Sequence, residues 1–342
     1  MARQKGSALL LALLIMALIT SIVVVSGDYL QRSLLRNQTL QWQIEAKWAL
    51  LGNEAIILSK LPEQLPLSYA IYRPGKINDM TIEYRLRDLN SCFNLNSLHY
   101  GAQKTEATPD EARADSKAAV KQEAALPPEA EGKTKVANGQ QAKAPRSVAI
   151  FTHLVRQVTG LDKDAAERLT RRVVEWINPA PATANADGKA IARNKLNLMT
   201  DSSELRIIPG LERVHYQQLK PWICVLPETA LKININALDE ASAPLLSALT
   251  EGELPVSEAK ALIQHRPPEG WDKPDAIITW LTDNKQSSAK EIKSLLTLSG
   301  NYFLLSQWAV REEQRYALHS LIRYDEKALH IKQRKYGISE IN

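Results

Sequence analysis

The chain opens with two apolar patterns laid end to end. From Ala8 to Val25 there is no charged side chain and nearly every position is apolar. At ~1.5 Å per residue the run covers about 27 Å, close to the ~30 Å hydrocarbon core of a bilayer. A membrane-spanning segment is therefore expected at 7–27. Helix-favouring sequence then continues without proline from Asp28 to Leu61, where Ile44, Trp48, Leu51, Ala55 and Leu58 recur at spacings of four and three. Those positions form one stripe, and Gln41, Glu45, Lys47, Asn53 and Glu54 fall outside it. The pattern predicts one continuous rod, in lipid at its start and, over 28–61, braced by its stripe against a folded domain. An ordinary secretory signal fits less well, because the apolar run exceeds a usual h-region and no Ala-x-Ala site follows it.

Beyond the rod the period changes. Tyr69 to Tyr72 and Met80 to Leu86 read as extended, separated by the turn signal Pro74-Gly75. Residues 101–146 hold Ala, Lys, Glu, Gln and Pro with almost no large apolar side chain, a composition that cannot offset ordering entropy, so a disordered insertion is expected. Ile150, Phe151, Leu154 and Val158 then have helical spacing, and a second helix with Leu169, Val173 and Trp176 on one stripe follows the cap Asp162 and ends at Pro179. Strand character returns in Trp222–Pro227 and in the alternating Lys232–Ala237, with helices over Ala241–Leu249 and Ser257–His265. Two strands, Tyr302–Val310 and Arg315–Arg323, flank the charged turn Arg311-Glu312-Glu313-Gln314, and a third follows at Ala328–Arg334. That order gives an α+β class: an antiparallel sheet from 62–100 and 221–342, with an inserted helical subdomain at 147–220.

Charge and chemistry narrow the function. The 43 basic and 38 acidic residues leave +5, spread along the chain, which does not mark a nucleic-acid binder. No nucleophile with its base, no phosphate-cradling glycine loop and no catalytic carboxylate pair is recognisable, so no enzyme is expected. His99, His153, His215, His265, His319 and His330 stand singly. Cys92 and Cys224 lack the spacing of a zinc or CxxC site and are compatible with one disulfide in an exported protein.

Two motifs carry a family resemblance. Arg3-Gln4-Lys5-Gly6 followed by Ser7-Ala8-Leu9-Leu10-Leu11 resembles the class III leader of type IV pilins and type II secretion pseudopilins. The stretch Asp88-Leu89-Asn90-Ser91-Cys92-Phe93-Asn94-Leu95-Asn96, with Ile233-Asn234-Ile235-Asn236 later, resembles the signature of the large minor pseudopilin K. The resemblance implies a pilin-like α+β domain carrying a helical insert. It also implies cleavage by a prepilin peptidase between Gly6 and Ser7, with methylation of the new terminus. Most members carry glutamate at the fifth mature position; Leu11 stands there, as is typical of pseudopilin K.

Further expectations follow from the same source. The minor pseudopilins I and J, and H in addition, are the implied partners, with the chain in the inner membrane, its large part periplasmic, and no nucleic acid bound. In that oxidising compartment a Cys92–Cys224 bridge is expected, since both lie in strand-like segments flanking the helical insert. Calcium binds the helical part of such proteins, and Asp187, Asp201 and Glu204 are the candidate oxygen ligands here. Asn178 and Ala180, after Trp176, replace acids in that pattern. A competing reading is DNA binding, because Leu254–Leu281 resembles a helix-hairpin-helix module, though Gly270 stands alone beside Pro267, Pro268 and Glu269.

Overall fold

The computed structural model describes residues 5–61, 71–72, 75–77, 79–100, 145–178, 198–283, 289–325 and 328–337. The expected insertion at 101–146 lies outside these, save for Pro145 and for Arg146, which opens a helix.

A single helix, α1 (Lys5–Lys60), runs for 56 residues or about 84 Å. Two short strands, β1 (Ile71–Tyr72) and β2 (Gly75–Ile77), precede β3 (Met80–Asp88) and the two-residue β4 (Phe93–Asn94). Then come α2 (Arg146–Thr159), α3 (Lys163–Ile177), α4 (Arg213–Leu219), β5 (Ile223–Cys224) and β6 (Ile233–Asn234). The helices α5 (Ala243–Leu249), α6 (Val256–Gln264), α7 (Pro274–Asp283) and α8 (Ala289–Ile292) lead to β7 (Leu296–Thr297). The chain closes on β8 (Tyr302–Arg311), β9 (Gln314–Tyr324) and β10 (Leu329–Tyr336). Local chemistry sets several ends. Asp162 accepts from Ala165 N at 2.7 Å to start α3, and Gly160, at φ 71°, stops α2 in a left-handed turn.

Among the described residues the main sheet is antiparallel in the order β1-β3-β8-β9-β10, with β2 also on β3. One face lies on α1. Trp42, Ala46 and Leu50 pack there against Met80, Ile82, Ala309 and Leu318, and Leu61 meets Leu86, Phe303, Leu305 and Ile322.

This is a different face of α1 from the expected one. Ile44 and Trp48 are 58% and 66% exposed, Ala55 is exposed, and Leu51 and Leu58 only border the sheet. The rod carries two apolar stripes of helical spacing, and periodicity alone does not rank them. The polar chemistry does. Glu54, expected on the solvent side, is 2% exposed. Ser320 donates to its Oε1, and Arg334 donates to its Oε2 through Nε at 2.9 Å and Nη2 at 2.6 Å. One residue earlier, Asn53 Nδ2 donates to Gln307 Oε1 at 2.7 Å. The sheet offers matched partners only on that side.

The helices form one body. A continuous core joins Phe93, Leu95 and Leu98 to α2–α4 and onward to α5–α8 and Leu296. By packing, then, the helices after residue 220 belong with those before it, and the division expected at 220 is not a division of the core. The extended segments expected at Trp222–Pro227 and Lys232–Ala237 shrink to the two-residue β5 and β6, each paired in parallel, with β4 and β7 respectively.

Arg334→Met should lower stability by about 1.5–3 kcal/mol, because it strips the charged partner from a buried carboxylate. Glu54→Leu made together with Arg334→Met should recover part of the loss. Denaturant unfolding of the single and double variants measures the coupling, and strictly additive losses would remove Glu54 from its assigned role.

Candidate functional site

Function in a chain of this shape rests on the rod and on what holds the helical body to the sheet. The backbone of Gly6 and Ser7 lies in the first turns of α1. Leu11 is 62% exposed within an apolar surface running from Leu9 to Val25, and α1 is long and apolar enough to cross a membrane. Beyond the span, Leu40, Ile44 and Trp48 make an exposed stripe at successive turns.

The helical body is held by buried side-chain amides. At the end of β3, Asp88 Oδ1 accepts from Asn90 N at 2.7 Å, and Asp88 Oδ2 accepts from Asn234 Nδ2 at 2.7 Å. Asn90 donates to Lys232 O at 3.1 Å and accepts from Asn301 N and Tyr302 N at 3.0 and 3.3 Å. Asn94 and Asn96 form the first of two matching clamps. Asn94 Oδ1 accepts from Asn96 N at 3.2 Å; Asn96 accepts from Met199 N at 2.8 Å and donates to Met199 O and Leu226 O at 3.0 and 2.8 Å. Asn234 and Asn236 repeat it. Asn234 Oδ1 accepts from Asn236 N at 3.0 Å; Asn236 accepts from Trp271 N at 2.8 Å and donates to Trp271 O and Leu298 O at 3.0 and 3.1 Å. Each second asparagine thus uses its carbonyl and both amide hydrogens on a distant loop. Sequence reading marked these asparagines as part of the pseudopilin K signature. It missed that Phe93–Leu98 and Ile233–Leu238 are the same device twice, although the shared Asn-x-Asn spacing is visible in the sequence.

The structure places the remaining candidates unequally. Cys92 and Cys224 are joined, with Cα atoms 5.8 Å apart and a sequence separation of 132. Asp201 and Glu204 are adjacent but already engaged. They form a capping box in which Asp201 Oδ1 accepts from Ser203 N at 2.8 Å. Glu204 Oε1 accepts from Thr200 N and Asp201 N at 2.7 and 3.1 Å. Lys335 pairs with the other Asp201 oxygen. Burial pushes the Asp201 carboxyl up, but the hydrogen bonds from Lys335 and Ser203 outweigh it and hold the pKa below the usual carboxylate range. Asp187 lies outside the described residues. Among the described residues no three acid, histidine or cysteine side chains converge as metal ligands. Asn178 instead ties α3 back, donating to Leu98 O at 3.0 Å and accepting from Tyr100 N at 2.9 Å.

In the helix-hairpin-helix-like stretch the loop between α6 and α7 holds Gly270 and Trp271. The Trp271 amide is bound by Asn236 and is not offered to a phosphate. A second tight turn precedes this stretch, between α5 and α6, where Glu251 and Gly252 have positive φ and Glu253 follows. Two acids at that turn oppose a phosphate backbone.

A helix long enough to cross a membrane, running unbroken into the back of an antiparallel sheet, defines a membrane-anchored subunit of the pilin type. Residues 91–228 and 233–299 match, in consecutive segments, the family described as type II secretion system protein K, and the chain belongs to that family. The type II secretion system protein K of Pectobacterium carotovorum subsp. carotovorum is 28% identical over 98% of this chain and 97% of its own length. That of Klebsiella pneumoniae is 27% identical over the same shares. Among solved structures, a chain of the GspK-GspI-GspJ complex from the enterotoxigenic Escherichia coli type 2 secretion system superposes with a TM-score of 0.64 and 25% identity. The match covers 89% of this chain and 100% of that one.

Two buried groups give the frame a pH signature. Burial raises the Asp88 carboxyl to about 6, against the hydrogen bonds from Asn234 and Asn90 that favour its charge. Burial first and the Lys335 charge second lower the His319 imidazole to about 4. Relative to unfolded values of about 3.9 and 6.5, Asp88 stabilises the fold most below pH ~4 and loses that contribution as pH rises through about 6. His319 acts in the opposite sense, favouring the fold at high pH and losing its contribution as pH falls from about 6.5 to 4. Their effects offset in the wild type. His319→Leu should therefore unmask a stability that falls by on the order of 2–3 kcal/mol between pH 4 and 6. Denaturant melts across that range test it, and a variant curve parallel to wild type would contradict the assignment.

Proposed function

We propose that this chain acts as a minor pseudopilin at the tip of the pseudopilus, where it works with the smaller minor pseudopilins I and J in export of folded proteins. The observation that carries this reading is the stripe Leu40, Ile44 and Trp48, an apolar face of α1 just beyond the membrane span that its own sheet leaves exposed. Such a face suits neighbouring rod helices, which pack by i, i+4 ridges. The GspK-GspI-GspJ composition of the similar solved complex supports I and J as the neighbours. The tip position follows from bulk and from Leu11. A large helical head resists burial along a shaft, and a leucine offers no carboxylate at membrane depth to a subunit above it. In this reading the rod sits in the inner membrane, the head is periplasmic, and a prepilin peptidase frees Ser7 as the amino terminus.

Ile44→Asp with Trp48→Asp should cut co-purification of I and J with the full chain at least tenfold while leaving the unfolding midpoint unchanged. Undiminished capture would sink the proposed docking face. Deletion of the chain should reduce secretion, and Leu11→Glu should bring no gain in it; improved incorporation of Leu11→Glu along the shaft would favour an internal position instead.

Maturation and oxidation are read together by mass spectrometry of membrane-extracted protein. The expected product begins at Ser7, carries a methyl group and has no free thiol, and a terminus at Met1 would refute the cleavage. Cys92→Ser with Cys224→Ser should cost about 2–4 kcal/mol, as expected for opening so long a loop. Free Cys92 and Cys224 thiols in exported wild-type protein would exclude the bridge.

A further inference from the structure

Between the outer face of the sheet and the helical body lies a cleft of about 90 Å³ that neither the anchor nor the asparagine clamps use. Its polar wall is cationic. Arg87 of β3, Lys220 just after α4 and Lys335 of β10 line it, against a single acid, Asp201. That acid is committed to Lys335. Arg87 Nη2 donates to Pro221 O at 3.0 Å, and among the described residues neither Arg87 nor Lys220 enters an ion pair. Burial first and Arg85 second lower the Arg87 pKa, against the Asp239 and Asp88 carboxylates, which act to raise it.

A second, independent observation points into the same cleft. His319, another lining residue, is 2% exposed; its Nδ1 sits 2.9 Å from Ser306 Oγ, and its Nε2 has no partner among the described residues. A buried polar atom left unpaired is costly, and native structures rarely tolerate it without a ligand or water. Burial keeps the ring neutral. In the tautomer that accepts the Ser306 hydroxyl's hydrogen bond at Nδ1, the ring proton sits on Nε2, which is then a donor. The floor beside it is apolar, built from Leu89, Ile223, Leu304 and Leu321.

We propose that this cleft binds a carboxylate carried on a short aliphatic stem, with Arg87, Lys220 and His319 Nε2 facing its oxygens and the apolar floor facing its methylene groups. A glutamate side chain of a peptide and a free short-chain acid share that chemistry. Either occupant would bridge sheet and helical body, because the lining side chains come from both.

The test uses the full chain in non-ionic detergent, labelled at its six histidines, with the His319 signal assigned by its loss in His319→Gln. Butyrate should shift the His319 Nε2 resonance saturably, with half-effect near ~1 mM for so small a ligand. The capped peptide acetyl-Ala-Glu-Ala-amide reports the peptide source. Tighter binding of the peptide assigns the site to a protein-borne glutamate; binding of butyrate with exclusion of the peptide assigns it to a free acid. Lys220→Gln, at a half-buried residue outside every hydrogen bond described above, should weaken binding about fivefold to tenfold. Three results overturn the proposal: no shift from either probe at 20 mM, an equal shift from butanol, or undiminished affinity in folded Lys220→Gln.

Discussion

Side-chain amides that hold the backbone of distant loops are the constraint on which the rest of this structure depends. Met199, Leu226, Trp271 and Leu298 lie on loops outside the regular ladders. Asn96 and Asn236 supply that missing ladder from a distance. A buried amide costs free energy unless it is satisfied, so a clamp that satisfies side chain and loop together has one geometry and no near alternative. Two glycines record how close the approach is. A Cβ at Gly300 would lie 2.2 Å from the Asp88 carboxylate oxygens, and one at Gly270, already at φ 83°, would lie 3.0 Å from the Asn236 side chain.

The rod meets this frame through the sheet. Glu54 reaches Arg334 on the edge strand β10, while Asn53 reaches Gln307 on the inner strand β8. Two neighbouring residues of α1 thus hold separated strands, which resists rotation of the rod in a way that its apolar contacts, being non-directional, do not. Displacement of the membrane segment is therefore passed to the sheet, and through Asp88 and Asn90 to the helical body.

How much of this could be read in the sequence depends on the range of the interaction. The membrane run, the β8–β9 hairpin across Arg311–Gln314 and the Asp162 cap are local, and each was legible. The braced face of α1 was not, because Trp42-Ala46-Leu50 and Ile44-Trp48 are equally good stripes until Ser320 and Arg334 arrive from the far end of the chain. The second clamp was read as an alternating strand that resembles the pseudopilin K signature; Asn236 acts on Trp271 and Leu298, and no local rule names such partners. Asp201 and Glu204 stood out in sequence as oxygen ligands, but their capping box and the pairing of Asp201 with Lys335 from the last strand were not legible there.

The two clamps are alike in geometry and unequal in attachment, and that difference explains where the cysteines lie. In the second clamp, Asn234 Nδ2 is held by Asp88, a carboxylate on the main sheet. In the first, Asn94 Nδ2 donates to Glu228 O and Ala230 O at 2.7 and 3.2 Å, carbonyls of the linker between the two clamps. The first unit lacks a direct side-chain tie from its leading asparagine to the sheet. Cys92 and Cys224 sit at this point, two residues before Asn94 and opposite it in the β4–β5 pair. A covalent link there closes the ends of the first unit, whose intervening chain includes the long segment 101–144. Loop-closure entropy grows with length, so the unit with the longer loop and the weaker polar tether is the one in which a crosslink does most.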